Sequence, residues 1–178
     1  MDGGLDRLAG RPCAAVIGDM DSLASPVPDG TARIEVSGQD DTDLEKALAR
    51  VEAPLILGTG FLGGRLDHTL AALHALVADP RPILLLGEED VALGLGETWR
   101  ATLVPGDRLS VFPLRDVRAV GSKGLRWELD GLRLRAGERI GTSNEVASAE
   151  VAIWMRGRGA VLVLPRPRLD AAMASLLG

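Results

Sequence analysis

Apolar and polar positions follow two different rhythms along this chain. Up to about residue 88, short apolar runs at 13–18, 33–36, 55–57 and 83–86 are separated by longer stretches at 42–51 and 66–78. In the second stretch Leu66, Leu70, Leu73 and Leu76/Val77 recur near the helical period, so both stretches are predicted as helices. Strand–helix–strand alternation of this kind predicts an α/β unit with a largely parallel sheet. Beyond residue 88 the runs are short and closely spaced, at 91–95, 99–104, 109–113, 126–129, 132–134, 151–155 and 161–164. Between them stand Pro105-Gly106-Asp107, Gly121-Ser122, Asp130-Gly131 and Gly157-Arg158-Gly159. Many short strands with such turns predict an antiparallel β-sandwich or barrel. Residues 169–177 predict a short terminal helix. The expected fold class is therefore α/β plus all-β, with an α/β domain over 1–90 and a small β domain over 91–178.

Composition narrows the class without naming a function. The chain has 178 residues, 46% apolar and 25% charged, which fits an ordinary globular protein and excludes a disordered one. No apolar run approaches the ~18 residues of a membrane span. The start, Met1-Asp2-Gly3-Gly4, has no apolar signal-peptide core, and the single cysteine, Cys13, offers neither a disulfide nor a zinc cluster. A cytoplasmic protein that binds neither membrane nor nucleic acid is expected, the latter because the net charge is −5. The charge is unevenly spread. Residues 1–100 carry 8 basic and 17 acidic side chains, residues 101–178 carry 12 and 8, so the halves stand at −9 and +4. An acidic region suits a cation and a basic one suits anions, although on charge alone drift in surface composition is the better explanation of the split.

Four segments offer chemistry. Asp19 and Asp21 follow the strand Ala14-Ala15-Val16-Ile17, where an open α/β sheet binds its ligands. At i and i+2 on an extended chain both carboxylates point the same way, as Mg²⁺ prefers, while an isolated D-x-D is more often a plain acidic turn. Gln39-Asp40-Asp41-Thr42-Asp43-Leu44-Glu45 opens the first helix, and Thr42 with Glu45 fits a capping box. Capping accounts for that segment by itself, yet three carboxylates exceed what a cap needs, and Asp43 would complete a metal site with Asp19 and Asp21. Gly58-Thr59-Gly60-Phe61-Leu62-Gly63-Gly64-Arg65-Leu66-Asp67-His68 runs from a strand into a helix and contains G-x-G-x-x-G. Its N–H groups suit phosphate, Arg65 adds a bidentate donor, and His68 is equally an ordinary first-turn residue. Trp99, Trp127 and Trp154 fall in the β-rich half, and Gly141-Thr142-Ser143-Asn144-Glu145 reads as a polar loop able to hydrogen-bond a heteroaromatic ring.

The order of these motifs resembles the thiamine pyrophosphokinase family. Gly-Asp-Met-Asp-Ser at 18–22, Gln-Asp-Asp-Thr-Asp at 39–43, Gly-Gly-Arg-Leu-Asp-His at 63–68 and Thr-Ser-Asn-Glu at 142–145 carry the resemblance. Residues 109–114 and 124–129 resemble the family's β-domain segments. The resemblance implies transfer of a pyrophosphoryl group from ATP to the thiamine hydroxyl, giving thiamine diphosphate and AMP. It implies a Rossmann-like parallel α/β domain for nucleotide and Mg²⁺, a β-sandwich for thiamine, and a homodimer with sites between subunits. On that reading Asp19, Asp21 and Asp43 are catalytic and hold Mg²⁺. Gly63, Gly64, Arg65, Asp67 and His68 bind nucleotide, and Gln39, Ser143, Asn144 and Trp127 meet thiamine. The chain departs from the family pattern in Cys13 after Pro12, in Ala72, and in beginning at the Asp-Gly-Gly that a strand usually precedes.

Three other functions fit some of the motifs. One is a non-catalytic thiamine or nucleotide sensor of the same fold. Another is a Mg²⁺-dependent nucleotide hydrolase. The third, an NAD(P)-binding oxidoreductase, is disfavoured because the chain has no Tyr for a Tyr-x-x-x-Lys pair.

Overall fold

A computed structural model describes residues 5–8, 11–20, 25–36 and 41–178. The chain divides into two compact units, Met1–Ala53 and Pro54–Gly178.

In the first unit a single 3-10 turn at Leu5–Leu8 precedes β1 (Ala15–Gly18), β2 (Ala32–Glu35) and helix α1 (Asp43–Leu48). β1 and β2 are parallel, with Ala15 opposite Ala32 and Gly18 opposite Glu35. α1 lies against β1, and Val16, Ile17, Leu44 and Leu48 are buried. The expected capping box is present: Thr42 Oγ1 accepts the Glu45 N–H, and the Glu45 carboxylate accepts the Thr42 N–H at 2.9 Å.

The second unit begins with β3 (Ile56–Thr59), α2 (Leu66–Ala78) and β4 (Ile83–Leu86), a parallel β–α–β unit. Next come β5 (Asp90–Leu95), β6 (Thr98–Thr102), β7 (Arg108–Pro113) and β8 (Val117–Lys123). The chain ends with β9 (Arg133–Leu134), β10 (Gly141–Glu145), β11 (Glu150–Arg156), β12 (Ala160–Pro165) and α3 (Leu169–Leu177). A six-stranded sheet runs β10-β7-β12-β5-β4-β3, and a four-stranded sheet runs β6-β11-β8-β9. Leu93, Val111 and Leu162 of the larger sheet share one core with Trp99, Ala119 and Ile153 of the smaller. α2 covers β5 and β12, so these central strands are buried almost throughout.

The larger sheet crosses residue 90. β4 pairs antiparallel with β5, with Leu84 opposite Leu93, so backbone hydrogen bonds join the β–α–β unit to the β-rich half. The expected boundary therefore falls inside one sheet, and the chain divides instead at residues 53 and 54.

Three local expectations need correction. Residues 126–129 form no strand; Arg126 N–H donates to the Glu145 carbonyl, beside an isolated bridge between Leu125 and Val146. Gly121 and Ser122 lie in strand β8, not in a turn, whereas the expected Asp130-Gly131 turn is present, with Leu132 N–H donating to Leu129 O and Gly131 at φ +71°. The segment read as a polar loop is strand β10, paired with β7. A sheet edge accepts polar residues because one face and one row of backbone groups stay wet.

Candidate functional site

The N-terminal candidates meet at a lysine. β1 delivers Asp19 just past its carboxyl end, and the cap on α1 fixes Asp43 in the first helical turn. Lys46, three residues on, lies on the same helix face as Asp43. Its ammonium stands 3.3 Å from Asp19 Oδ2 and 3.9 Å from Asp43 Oδ1. Lys46 is only 4% exposed, whereas the two carboxylates are 37% and 38% exposed. Two carboxylates turned toward one point are hard oxygen donors of the kind Mg²⁺ takes, so the donor chemistry fits that ion. Among the described residues no third His, Cys, Asp or Glu joins them in a metal-holding group. Asp21 and Gln39 lie outside the described residues. The expected extended chain between Asp19 and Asp21 is not found: Met20 adopts φ +65°, so the backbone turns sharply directly after Asp19.

The glycine-rich segment joins β3 to α2. Gly58 is a packing glycine, since a Cβ there would stand 2.8 Å from Leu85 Cδ2 and 3.1 Å from the Phe61 ring. Gly63 and Gly64 differ in role. They have φ of +85° and +67° with open space around them, so they shape the backbone. Arg65 occupies the N-cap position of α2 without capping it. Its guanidinium instead grips Asp67, Nε to Oδ1 at 3.1 Å and Nη2 to Oδ2 at 2.6 Å. That hydrogen bonding is the main reason the Asp67 carboxyl falls to about 2. Arg65, Asp67 and His68 are all exposed at this helix start. Thr69 Oγ1 hydrogen-bonds the carbonyls of Gly63 (3.2 Å) and Arg65 (3.3 Å), tying the loop to the helix.

The β-domain candidates cluster around β10. Asn144 is 4% exposed. Its Oδ1 accepts the N–H of Trp127 at 3.1 Å and of Glu145 at 2.8 Å, and its Nδ2 donates to Trp127 O at 2.6 Å. The Asn144 carboxamide is thus largely used on backbone. Trp127 is 53% exposed, and the Arg126 guanidinium stands 5.0 Å from its ring centroid while pairing with Glu145 at 3.2 Å. Ser143 is exposed and left-handed, at φ +58°. Its N–H donates to Ser110 Oγ at 2.9 Å.

Lys46, Thr69, Ser110 and Arg126 were not among the residues singled out from sequence. Lys46 stands i+3 from Asp43 and could have been read from helical spacing. Ser110 could not, because only the β7–β10 register brings it beneath Ser143.

Residues 1–84 match the family described as thiamin pyrophosphokinase, catalytic domain, and residues 100–156 match thiamin pyrophosphokinase, vitamin B1 binding domain. The first match holds Asp19, Asp43, Lys46 and the Gly63–His68 segment; the second holds Ser110, Trp127, Ser143 and Asn144. Thiamine pyrophosphokinase 1 of Arabidopsis thaliana is 32% identical over 158 residues, covering 76% of this chain and 59% of that protein. Thiamin pyrophosphokinase 1 of Caenorhabditis elegans is 28% identical, with 76% and 63% covered. This chain therefore spans less than two thirds of either relative. In fold it is similar to thiamin pyrophosphokinase from Geobacillus thermodenitrificans, with TM-score 0.73, 24% identity, and 92% and 83% of the two chains covered. The yeast enzyme's structure gives TM-score 0.72 at 15% identity, with 92% and 76% covered. With both halves matched in order, and the motif residues falling within the matched segments, the chain belongs to the thiamin pyrophosphokinase family.

Proposed function

We propose that this protein transfers the pyrophosphoryl group of ATP to the hydroxyl of thiamine, giving thiamine diphosphate and AMP. The observation that carries the reading is that Asp19, just past β1, and Asp43, in the first turn of α1, both reach the same Lys46 ammonium, at 3.3 Å and 3.9 Å. In the proposed reaction the thiamine hydroxyl oxygen bonds to the β-phosphorus of ATP. The bond from that phosphorus to the oxygen bridging the α-phosphorus breaks, and AMP leaves with the electron pair. A carboxylate of the Asp19–Asp43 pair accepts the hydroxyl proton. Asp19, Asp21 and Asp43 would hold Mg²⁺, which when bound neutralises charge on the phosphate oxygens.

The remaining assignments follow from the same reading. Gly63 and Gly64 N–H groups, Arg65 and His68 bind the triphosphate. Arg65 exchanges the Asp67 carboxylate for phosphate, since its fork matches both. Asp67 holds that fork in place beforehand. Ser143, Trp127 and Gln39 face thiamine, with Asn144 supporting Trp127. On this reading the nucleotide- and Mg²⁺-binding residues lie at 19–68 and the thiamine-binding ones, Gln39 apart, lie in the β-rich half at 127–144. The protein acts in the cytoplasm as a homodimer with sites between subunits. No helix among the described residues is long and apolar enough to cross a membrane.

The test is a product analysis with ATP and Mg²⁺, with and without thiamine. The expected result is AMP and thiamine diphosphate in equal amounts, only when thiamine is present. AMP formed without thiamine would make the protein a hydrolase, ADP would indicate a different kinase, and binding of thiamine without turnover would make it a sensor.

A further inference from the structure

β10 pairs with β7 through a bulge, because the register shifts between Gly141 and Asn144. Inside the bulge Ser143 holds φ +58°, a conformation that costs a non-glycine residue free energy. The bulge rests on Ser110. That hydroxyl lies on β7, is 6% exposed, and accepts the Ser143 N–H at 2.9 Å. Among the described residues only Lys46, Ser110 and Asn144 are buried polar or charged side chains, so Ser110 is an uncommon choice for an interior position. An apolar residue would be cheaper there unless the hydrogen bond serves something else. One residue further on, Asn144 does the same for Trp127, gripping both its N–H and its carbonyl. The two buried polar groups thus hold, through backbone, two exposed side chains: the Ser143 hydroxyl and the Trp127 indole.

We infer that Ser110 is a positioning residue for thiamine: it pins the left-handed Ser143 bulge and, with Asn144 holding the Trp127 backbone, presets the Ser143 hydroxyl and the Trp127 indole as a shelf for a flat heteroaromatic ring. The inference rests on the proposed function and adds to it a residue that never meets the ligand. Holding the shelf before binding removes an ordering cost that thiamine would otherwise meet. The effect falls on thiamine, because the Ser110 hydroxyl bonds the Ser143 N–H and, among the described residues, makes no hydrogen bond to the glycine-rich segment.

The test compares the full-length wild type with Ser110→Ala, Ser110→Thr and Ser143→Ala. Thiamine binding is read by quenching of indole fluorescence, with Trp127→Phe as control, and turnover is read as separate KM values for thiamine and ATP. Ser110→Ala should raise the thiamine Kd and KM roughly 5- to 30-fold, the loss of one buried hydrogen bond, while kcat and the ATP KM stay within about twofold. Ser110→Thr keeps the hydroxyl and should restore most of the binding. An unchanged thiamine Kd in Ser110→Ala, or a parallel rise in both KM values, overturns the inference while leaving thiamine as substrate intact. A wild type that binds no thiamine overturns the substrate reading and the inference together. Should Ser110→Ala fail to fold, Ser143→Ala decides, since it keeps the N–H bond to Ser110; an unchanged thiamine Kd there also overturns the inference.

Discussion

Lys46 invites the sharpest perturbation, its replacement by methionine. Methionine has similar length and helix propensity, so the change removes a charge from α1 with little change of shape. The ammonium lies 3.3 Å and 3.9 Å from two carboxylate oxygens. At an effective dielectric near 20 each contact is worth about 4–5 kcal/mol gross, most of which is offset by desolvating an ammonium that is almost wholly buried. Deleting one partner of a fully buried pair costs ~3–5 kcal/mol, and an exposed pair ~0–1 kcal/mol. Here both carboxylates are more than a third exposed and rehydrate once the ammonium is gone, so the loss falls between, at about 1–3 kcal/mol. For a chain of this size that lowers Tm by roughly 3–9 °C in EDTA. The two carboxylates then lose the ammonium they share. Mg²⁺ should therefore raise the Tm of Lys46→Met more than that of the wild type, at matched ionic strength. Thermal unfolding followed by circular dichroism, in EDTA and in Mg²⁺, reads both effects. Equal Tm values in EDTA would refute the charge argument. An equal Mg²⁺ shift in the two proteins would refute Asp19 and Asp43 as the metal ligands.

Two further outcomes follow from local geometry. At Gly124, φ is +79° and an added Cβ would stand 2.3 Å from the Glu150 carbonyl oxygen, whereas Gly131, at φ +71°, has open space. Both alanine variants bear the left-handed penalty of ~1–2 kcal/mol, but Gly124→Ala must also displace β11, so its urea midpoint should fall well below that of Gly131→Ala. Equal midpoints would refute the close approach. At Asp79, hydrogen bonds from the Arg81 side chain hold the carboxyl below the usual carboxylate range. Its folded pKa thus lies below its unfolded one. The stabilisation is complete above the unfolded value near 4 and disappears as pH falls through the folded value. Asp79→Asn should therefore flatten the acid limb of the stability curve below about pH 4 and leave its shape between pH 5 and 8 unchanged. A changed slope at pH 5–8 would refute that assignment.

Elements with one dominant local signal were legible in the sequence. α2 occupies Leu66–Ala78 as periodicity predicts, α3 occupies the expected Leu169–Leu177, and β4 occupies Ile83–Leu86 because a continuous apolar run suits a strand buried on both faces. The capping box fixed the start of α1. The failures share a cause. Residues 126–129 look β-forming, yet Arg126 and Trp127 join their neighbours through a bulged edge and a side-chain carboxamide. Gly141–Glu145 looks like a loop, yet β7 offers it a ladder. β-structure is decided by partners distant in sequence, and a single strand does not announce them. The site divides along the same line. Asp19, Asp43 and the Gly63–His68 segment follow from local motif chemistry. Ser110 follows only from register.

Among the described residues, two non-glycines have positive φ, Met20 and Ser143. Neither is Asn or Asp, the types that tolerate that region best, so at both positions local preference is overruled by the surrounding structure. Each immediately adjoins a residue singled out from its chemistry: Met20 follows Asp19, and Ser143 precedes Asn144. At Met20 the turn prevents the chain from continuing β1 and redirects it just after the first carboxylate. At Ser143 the bulge breaks the alternation of β10 and leaves a hydroxyl exposed next to a buried carboxamide. Elsewhere in the described chain positive φ falls on glycines, where the fold meets no such cost. A sequence selected only for stability would place Gly or Asn at both points. At Ser143 that departure keeps an exposed hydroxyl at the edge of β10, the group the proposed thiamine site uses.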